Sequence, residues 1–162
     1  MNLRFITATR QNHALEHATV SELVRRLGPN VRLVGRATAT GFYIYGDLPT
    51  PIVEQAAREG LARLQRGESG LAISPMCGTN IVVAGMLTGL STMLSLGRKN
   101  RLQHLPRAMM AATVSVLAAR PLGRLAQKHL TTSSSLSDVA IVGVKRRERG
   151  GRVSHKIETA RR

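Results

Sequence analysis

The chain has 162 residues, enough for one domain or for a small domain with a membrane hairpin. Its 24 Lys and Arg residues against 9 Asp and Glu residues give a net charge of +15, which indicates a polyanionic partner, either an anionic membrane surface or nucleic acid. Two Phe, two Tyr and no Trp argue against a protein that stacks single-stranded bases on aromatic rings. A single Cys excludes an internal disulfide and fits a reducing compartment.

The first predicted element is a helix from about Thr9 to Leu27, because apolar residues recur there at spacings of three and four. Thr9 is a suitable N-cap, and Gly28 followed by Pro29 should end the helix. No charged-then-apolar leader precedes it, so no signal peptide is predicted.

Within this helix lies the stretch His-Ala-Leu-Glu-His, residues 13–17. His13 and His17 would lie one turn apart on the same face, with Glu16 on its flank. Two imidazoles at this spacing can bind one metal ion, and the carboxylate can ligate it or take a proton from bound water. His-x-x-Glu-His is also the order found in inverted zinc peptidases. The alternative is an ordinary helix surface on which a short motif has arisen by chance.

Two short strands, 31–36 and 41–46, are predicted to form a hairpin. Thr50 should cap a second helix that runs to about Gln65, and 71–74 is expected to be a third strand. Residues 1–75 are therefore predicted as an α+β unit, a small N-terminal sheet with two helices on it.

An uncharged stretch follows, from Ser69 to Gly97, and it contains a predicted apolar helix over 80–97. A helix of that length can enter or cross a bilayer. A second apolar stretch, 108–119, is bounded by Arg120 and Pro121. We interpret residues 76–122 as a membrane-associated helical hairpin, and the alternative is a hairpin buried in a soluble protein.

The loop between the two apolar stretches is basic and is predicted to bind an anionic partner such as lipid head groups, each cation contributing about 1 kcal/mol near the surface. Its candidate residues are Arg98, Lys99, Arg101 and Arg107. Residues 123–144 are expected to return to the first unit and to end in a strand or short helix. Residues 145–162 are highly charged with few apolar side chains, so this tail is expected to be disordered.

Three separated stretches together resemble one family. They are His13–Val20, Ser74–Asn80 and Leu130–Thr132, the last followed by Asp-Val-Ala-Ile. In this order they distantly resemble the YqhQ family of bacterial membrane proteins, described as predicted metal-dependent enzymes. The chain resembles more closely a family of uncharacterised proteins from cyanobacteria and green non-sulphur bacteria, which share Asn-His-Ala-Leu-Glu-His and Ser-Pro-x-Cys-Gly-Thr-Asn. It departs from the YqhQ pattern at Ala18, where Lys is usual, and at Asn80, where Ser is usual.

The resemblance implies that Cys77 belongs with the histidines. A thiol just before a helix lies near backbone N–H groups that favour the thiolate. His13, His17 and Cys77 would then supply three ligands to zinc and leave a fourth position open. The alternative for Cys77 alone is a small buried apolar residue.

The occupant of the fourth position decides the chemistry. With water there, Glu16 is the natural general base and the site is hydrolytic, whereas a Glu16 ligand would close the site and make it structural. Asn12 and Thr79 are predicted to hydrogen-bond the ligands and orient them.

The leading hypothesis is a zinc-binding protein of the cytoplasmic membrane, with its main domain on the cytoplasmic side and metal-dependent hydrolase activity left open. The first alternative is a non-catalytic accessory subunit of a membrane complex. The second alternative is a basic protein that binds nucleic acid or the ribosome, although no motif that reads bases is recognisable.

Overall fold

The computed structural model describes residues 3–96 and 102–162. The fold is α+β, with four main helices, a four-stranded sheet, a short 3₁₀ turn at Ser69–Ala72 and a π turn at Gln127–Thr131. In chain order the main elements are α1 (Leu3–Leu27), β1 (Val34–Thr38), β2 (Gly41–Tyr45), α2 (Thr50–Gln65), α3 (Gly78–Leu96), α4 (Leu105–Ala126), β3 (Val139–Arg149) and β4 (Arg152–Arg161).

The chain divides into two compact units. Unit 1 comprises Met1–Ile73 and Lys128–Arg162, and unit 2 comprises Ser74–Gln127. Unit 1 contains the whole sheet, α1 and α2, whereas unit 2 consists of α3 and α4 with the turn that precedes them.

The sheet of unit 1 has the order β1-β2-β4-β3, and every neighbouring pair is antiparallel. The expectation of a sheet confined to the N-terminal part was therefore wrong, because half of the strands come from the end of the chain. The expectation of a disordered tail at 145–162 was wrong as well. β4 buries His155 and Ile157 completely on alternate positions, and its pairing with β2 and β3 supplies partners for its backbone. The charges that suggested disorder lie largely on exposed positions of β3 and β4.

Three further local predictions were wrong. Thr50 is the first residue of α2 and does not cap it, since the N-cap is Pro49 and the hydroxyl of Thr50 lies 3.1 Å from Nε2 of His155. Helix α1 begins at Leu3, and the hydroxyl of Thr9 bonds to the carbonyl of Phe5 within the helix instead of capping its end. The segment expected to be a third strand forms the 3₁₀ turn Ser69–Ala72, in which the N–H of Ile73 donates to the carbonyl of Gly70. The carbonyl of Ala72, the last residue of this turn, faces His17 of α1.

The rotation of α1 about its axis is fixed by β1 and β4. Asn12 is fully buried, its amide donates to the carbonyl of Thr38 at 2.7 Å, and its own side-chain oxygen accepts from the hydroxyl of Thr159 at 2.8 Å. Arg161 donates to the carbonyl of Ala8 at 2.9 Å. These long-range bonds determine which face of α1 is directed away from the sheet.

Helices α3 and α4 of unit 2 pack against each other, and the hydroxyls of Ser91 and Ser115 are 2.9 Å apart across their interface. Helix α3 is long and apolar enough to cross a membrane, and none of its residues is buried. Helix α4 continues through Pro121 beyond the predicted end at residue 119. Gly123 and Gln127, which follow that proline, are both buried, so packing holds the last turns despite the missing N–H.

Candidate metal centre

His13 and His17 lie on one face of α1. Their ring centroids are 4.4 Å apart with an angle of 60° between the planes. His17 is buried and His13 is half-buried, so both rings lie at the edge of the core of unit 1 rather than on an open surface.

Backbone carbonyls determine the tautomer of both rings. The Nδ1 atom of His13 is 2.9 Å from the carbonyl oxygen of Thr131, and Nδ1 of His17 is 2.8 Å from that of Ala72. A carbonyl oxygen can only accept, so Nδ1 carries the hydrogen in each ring and Nε2 of the neutral ring carries the lone pair. Histidines that bind metals are commonly oriented in this way, by a hydrogen bond from the nitrogen that does not ligate.

The carboxylate of Glu16 lies beside both lone pairs. Its Oε2 atom is 3.9 Å from Nε2 of His13 and 3.9 Å from Nε2 of His17, and only 9% of its side chain is exposed. Both distances exceed that of a direct hydrogen bond. The carboxylate is therefore close enough to act on a group placed between it and the two rings.

Gly35 of β1 provides the space for this carboxylate. A Cβ atom on Gly35 would overlap the side chain of Glu16. Sequence reasoning missed Gly35, because a lone glycine in a short strand gives no signal of what packs against it.

The segment that orients His13 is held by Arg10. The guanidinium of Arg10 donates to the carbonyls of His129 and Thr132 at 2.9 and 3.0 Å, and the carbonyl of Arg10 accepts from the N–H of Ser133 at 3.1 Å. The Leu-Thr-Thr stretch at 130–132 thus contributes through its backbone carbonyls, which its side-chain identities did not reveal.

In unit 2, Cys77 occupies the turn before α3 and is buried. Its Sγ atom accepts from the N–H of Thr79 at 3.4 Å, and its S–H donates to the hydroxyl oxygen of Thr79 at 3.3 Å. These two bonds hold the sulfur beside the first turn of α3.

A buried amide network fixes the turn that carries Cys77. Gln127 is fully buried, accepts from the N–H of Ser74 at 2.8 Å and donates to the side-chain oxygen of Asn80 at 2.9 Å. Asn80 in turn donates to the carbonyl of Pro75 at 2.9 Å. A Cβ atom on Gly123 would overlap the side-chain oxygen of Asn80, so the absence of a side chain at residue 123 leaves space for the Asn80 amide. Gln127 and Gly123 are also residues that sequence reasoning missed.

Among the described residues, His13 and His17 of unit 1 and Cys77 of unit 2 are donors of the types that bind zinc. Two imidazoles and one thiolate would fill three positions of a tetrahedral site.

The remaining predicted site residues lie elsewhere. The hydrogen bonds of Asn12 go to the sheet, so it positions α1 as a whole. Arg107 is exposed in the first turn of α4. Arg98, Lys99 and Arg101 lie outside the described residues.

The model of a domain of unknown function, DUF6391, matches residues 8–144. The chain belongs to the DUF6391 family. It is also 37% identical over 148 residues to an uncharacterized protein of Picosynechococcus sp., with 83% of this chain and 71% of the relative covered. No solved structure matches it. These matches agree with the expected uncharacterised bacterial family, whereas the resemblance to the YqhQ family stays a prediction.

The DUF6391 match includes α1, the Cys77 turn, Gln127 and the carbonyl of Thr131. It ends within β3, before β4 begins. All the side chains and carbonyls that form the candidate centre therefore belong to the matched region.

Proposed function

We propose that this DUF6391 protein is a membrane-associated zinc protein in which His13, His17 and Cys77 bind the metal and Glu16 serves as general base in a hydrolytic reaction. One observation carries the proposal. Both imidazoles donate Nδ1–H to backbone carbonyls, which places Nε2 of each ring 3.9 Å from the same buried carboxylate.

The donor set fits zinc. Two neutral imidazoles and one thiolate are ligands that zinc prefers, and three protein ligands leave one position open, as in catalytic sites. When bound, zinc acts as a Lewis acid and makes a water molecule acidic near neutral pH.

Glu16 is better suited to proton transfer than to ligation. Its carboxylate is 3.9 Å from both Nε2 atoms, beyond direct hydrogen-bond distance, and is held against Gly35. We propose that it acts on a water molecule bound to the metal. Oε2 of Glu16 would accept the proton of that water and later deliver it to the leaving group. Burial against β1 restricts the approach of competing solvent.

Membrane association rests on unit 2. Helix α3 starts at Gly78, directly after Cys77, and its 19 residues have the length and apolar character of a membrane span. If α3 enters the bilayer, Cys77 lies at the membrane surface. The excess of Lys and Arg would favour the anionic cytoplasmic leaflet of the membrane, and Arg107 with the basic residues before it would contact lipid head groups.

Metal content tests the site. The full chain, purified in detergent without chelators, should contain about one zinc per chain by elemental analysis, and the His13→Ala and Cys77→Ala variants should each lose it. His104→Ala removes a histidine at the start of α4 and should retain the metal. Absence of metal from the wild-type chain, or its retention in both ligand variants, would overturn the proposal.

Glu16→Gln separates a hydrolase from a protein with a structural metal. The variant should keep its zinc and lose at least about 100-fold in hydrolysis of p-nitrophenyl acetate, the typical contribution of a general base. Unchanged hydrolysis would exclude Glu16 as the base. Wild-type zinc content without any hydrolysis would favour an accessory subunit of a membrane complex.

A further inference from the structure

Strand β3 forms an edge of the sheet, because its neighbour on one side is β4 and the order ends there. In an antiparallel pair the N–H and C=O of one residue point to the same side. At Val139 that side is outward, since its N–H donates to the carbonyl of Leu136 and its C=O accepts from the side chain of Gln65 at 3.1 Å.

The same geometry applies at Ile141 and Val144, on either side of a bulge. The N–H of Thr159, which lies opposite Ile141, donates to the carbonyl of Thr40, so the backbone groups of Thr159 point away from β3. The groups of Ile141 therefore also point away from β4, and those of Val144 follow the same alternation. Within residues 3–96 and 102–162, the outward backbone groups of Ile141 and Val144 have no hydrogen-bond partner.

A groove of about 680 Å³ lies between this edge and α2. Leu61, Ala62, Val139 and Ile141 give it apolar walls, and Arg58 and Arg162 place cations beside them. Arg58 also pairs with Glu54 at 2.7 Å, but both side chains are more than a third exposed. Exposed pairs of this kind contribute little, so a ligand carboxylate can replace Glu54.

We infer that this groove binds an extended acidic peptide, which adds to the edge of β3 as a further strand. The outward groups of Ile141 and Val144 would pair with its backbone, and the apolar walls would take every second side chain. Gln65 already occupies the carbonyl of Val139, so the added strand would end beside it. This peptide-binding site is independent of the proposed metal centre.

Charge selects the partner. Beyond Val144 the edge strand continues with Lys145, Arg146 and Arg147, so the cations extend along it. A second copy of this chain paired through β3 would bring like charges together, which is unfavourable and is a known means of preventing pairing between identical edges. An acidic peptide would instead bring opposite charges together along this edge.

The test uses the full chain in lipid nanodiscs and two fluorescein-labelled peptides, Glu-Val-Glu-Val-Thr-Val-Glu and the same sequence with Lys in place of Glu. Fluorescence anisotropy measures binding, and hydrogen exchange follows the amides of Ile141 and Val144. The acidic peptide should bind and slow exchange at both amides, whereas the basic peptide should do neither.

Variants locate the binding. Arg58→Glu and Arg162→Glu should each weaken the acidic peptide by about fivefold, the effect of one exposed ion pair. Ile141→Pro should weaken it further, since it removes an outward N–H while leaving the bonds to β4. Arg66→Glu makes the same charge change at the residue that follows α2, outside the groove, and should have little effect.

Three results would overturn the inference. They are failure of the acidic peptide to bind, equal binding of both peptides, and unchanged affinity in Arg58→Glu and Arg162→Glu. Protection of Ile141 that rises with protein concentration in the absence of peptide would assign the edge to self-association instead. If Ile141→Pro does not fold, the two charge variants still decide the question.

Discussion

The carboxylate of Glu16 occupies the space that a side chain on Gly35 would need. The two residues belong to α1 and β1, so this contact joins the helix of the histidines to the sheet. Gly35 is not among the glycines with positive φ, which means that space rather than backbone conformation requires a glycine here. The position of the Glu16 carboxylate, the proposed base, therefore depends on the absence of a Cβ atom at residue 35 of β1.

Gly35→Ala should displace Glu16 and lower the free energy of unfolding by about 1–3 kcal/mol, the usual effect of overpacking. Hydrolysis of p-nitrophenyl acetate should fall with it, while zinc content should change less, because the three ligands lie on other residues. Denaturant titration and elemental analysis of the full chain measure both effects.

A matched control exists at Gly70, where a Cβ atom meets nothing within 4 Å. Gly70→Ala should leave stability and activity near the wild-type values. In the double variant Gly35→Ala with Glu16→Ala the overlap is removed, so the loss of stability should be smaller than the sum of the two single losses. Additive losses would contradict the contact.

Gly123→Ala should disturb the turn that carries Cys77. On helix propensity alone the change would stabilise α4, since Ala exceeds Gly by about 1 kcal/mol. The overlap with Asn80 predicts the opposite, a loss of stability together with faster reaction of Cys77 with a thiol reagent. Gly85→Ala, where a Cβ atom meets open space, should leave the thiol rate unchanged.

Ile157→Ala tests the importance of β4 to the core. Ile157 is fully buried and lies between Phe42 and Val144 in the sheet. The truncation should lower the free energy of unfolding by about 2–5 kcal/mol. Val142→Ala, at a side chain that is 61% exposed, should change it by less than about 0.5 kcal/mol. Equal effects of the two variants would indicate that the end of the chain is dispensable.

His155 predicts how stability depends on pH. Burial, reinforced by the charge of Arg146 and partly opposed by Asp47, lowers the pKa of His155 below its ordinary value of 6.5. The unfolded chain therefore takes up a proton first as the pH falls. The free energy of unfolding should be level with respect to this group above about 6.5 and should decrease as the pH falls from there through the lowered pKa of the folded state.

Denaturant titration at a series of pH values from about 6.5 downward measures how steeply the free energy of unfolding depends on pH. His155→Gln should flatten it, whatever its effect on overall stability, because the titrating group is gone. His129→Gln, at an exposed side chain, should keep the wild-type slope. A slope unchanged in His155→Gln would assign the dependence to other groups.

Local patterns predicted much of the fold. Apolar periodicity predicted α1 and α2, uncharged apolar composition predicted the two helices of unit 2, and two short runs of strand-forming residues predicted the first hairpin. Composition misled at β4, because a strand with basic residues on its exposed positions resembles a disordered segment. Its two buried positions hold only one apolar residue, Ile157, and the other is His155.

In the candidate site, too, local sequence predicted some features and missed those that depend on distant parts of the chain. The spacing of His13, Glu16 and His17 along one helix could be predicted, since helical geometry alone places them together. The carbonyls of Ala72 and Thr131 that set the tautomers could not, because every residue has a carbonyl and only the folded chain selects two of them. Gly35 and Gln127 were missed for a related reason, as their roles depend on partners distant in sequence.

The position of β4 between β2 and β3 determines the order in which this protein can be assembled during translation. The ribosome makes α3 and α4 before it makes β4, so in the proposed membrane-associated protein these helices would reach the bilayer while the sheet still lacks an inner strand. Asn12 bonds to Thr159, 147 residues later. Contacts of such high sequence separation form slowly. The helix that carries the histidines therefore reaches its final orientation late, so in the proposed zinc protein metal loading would follow membrane insertion rather than precede it.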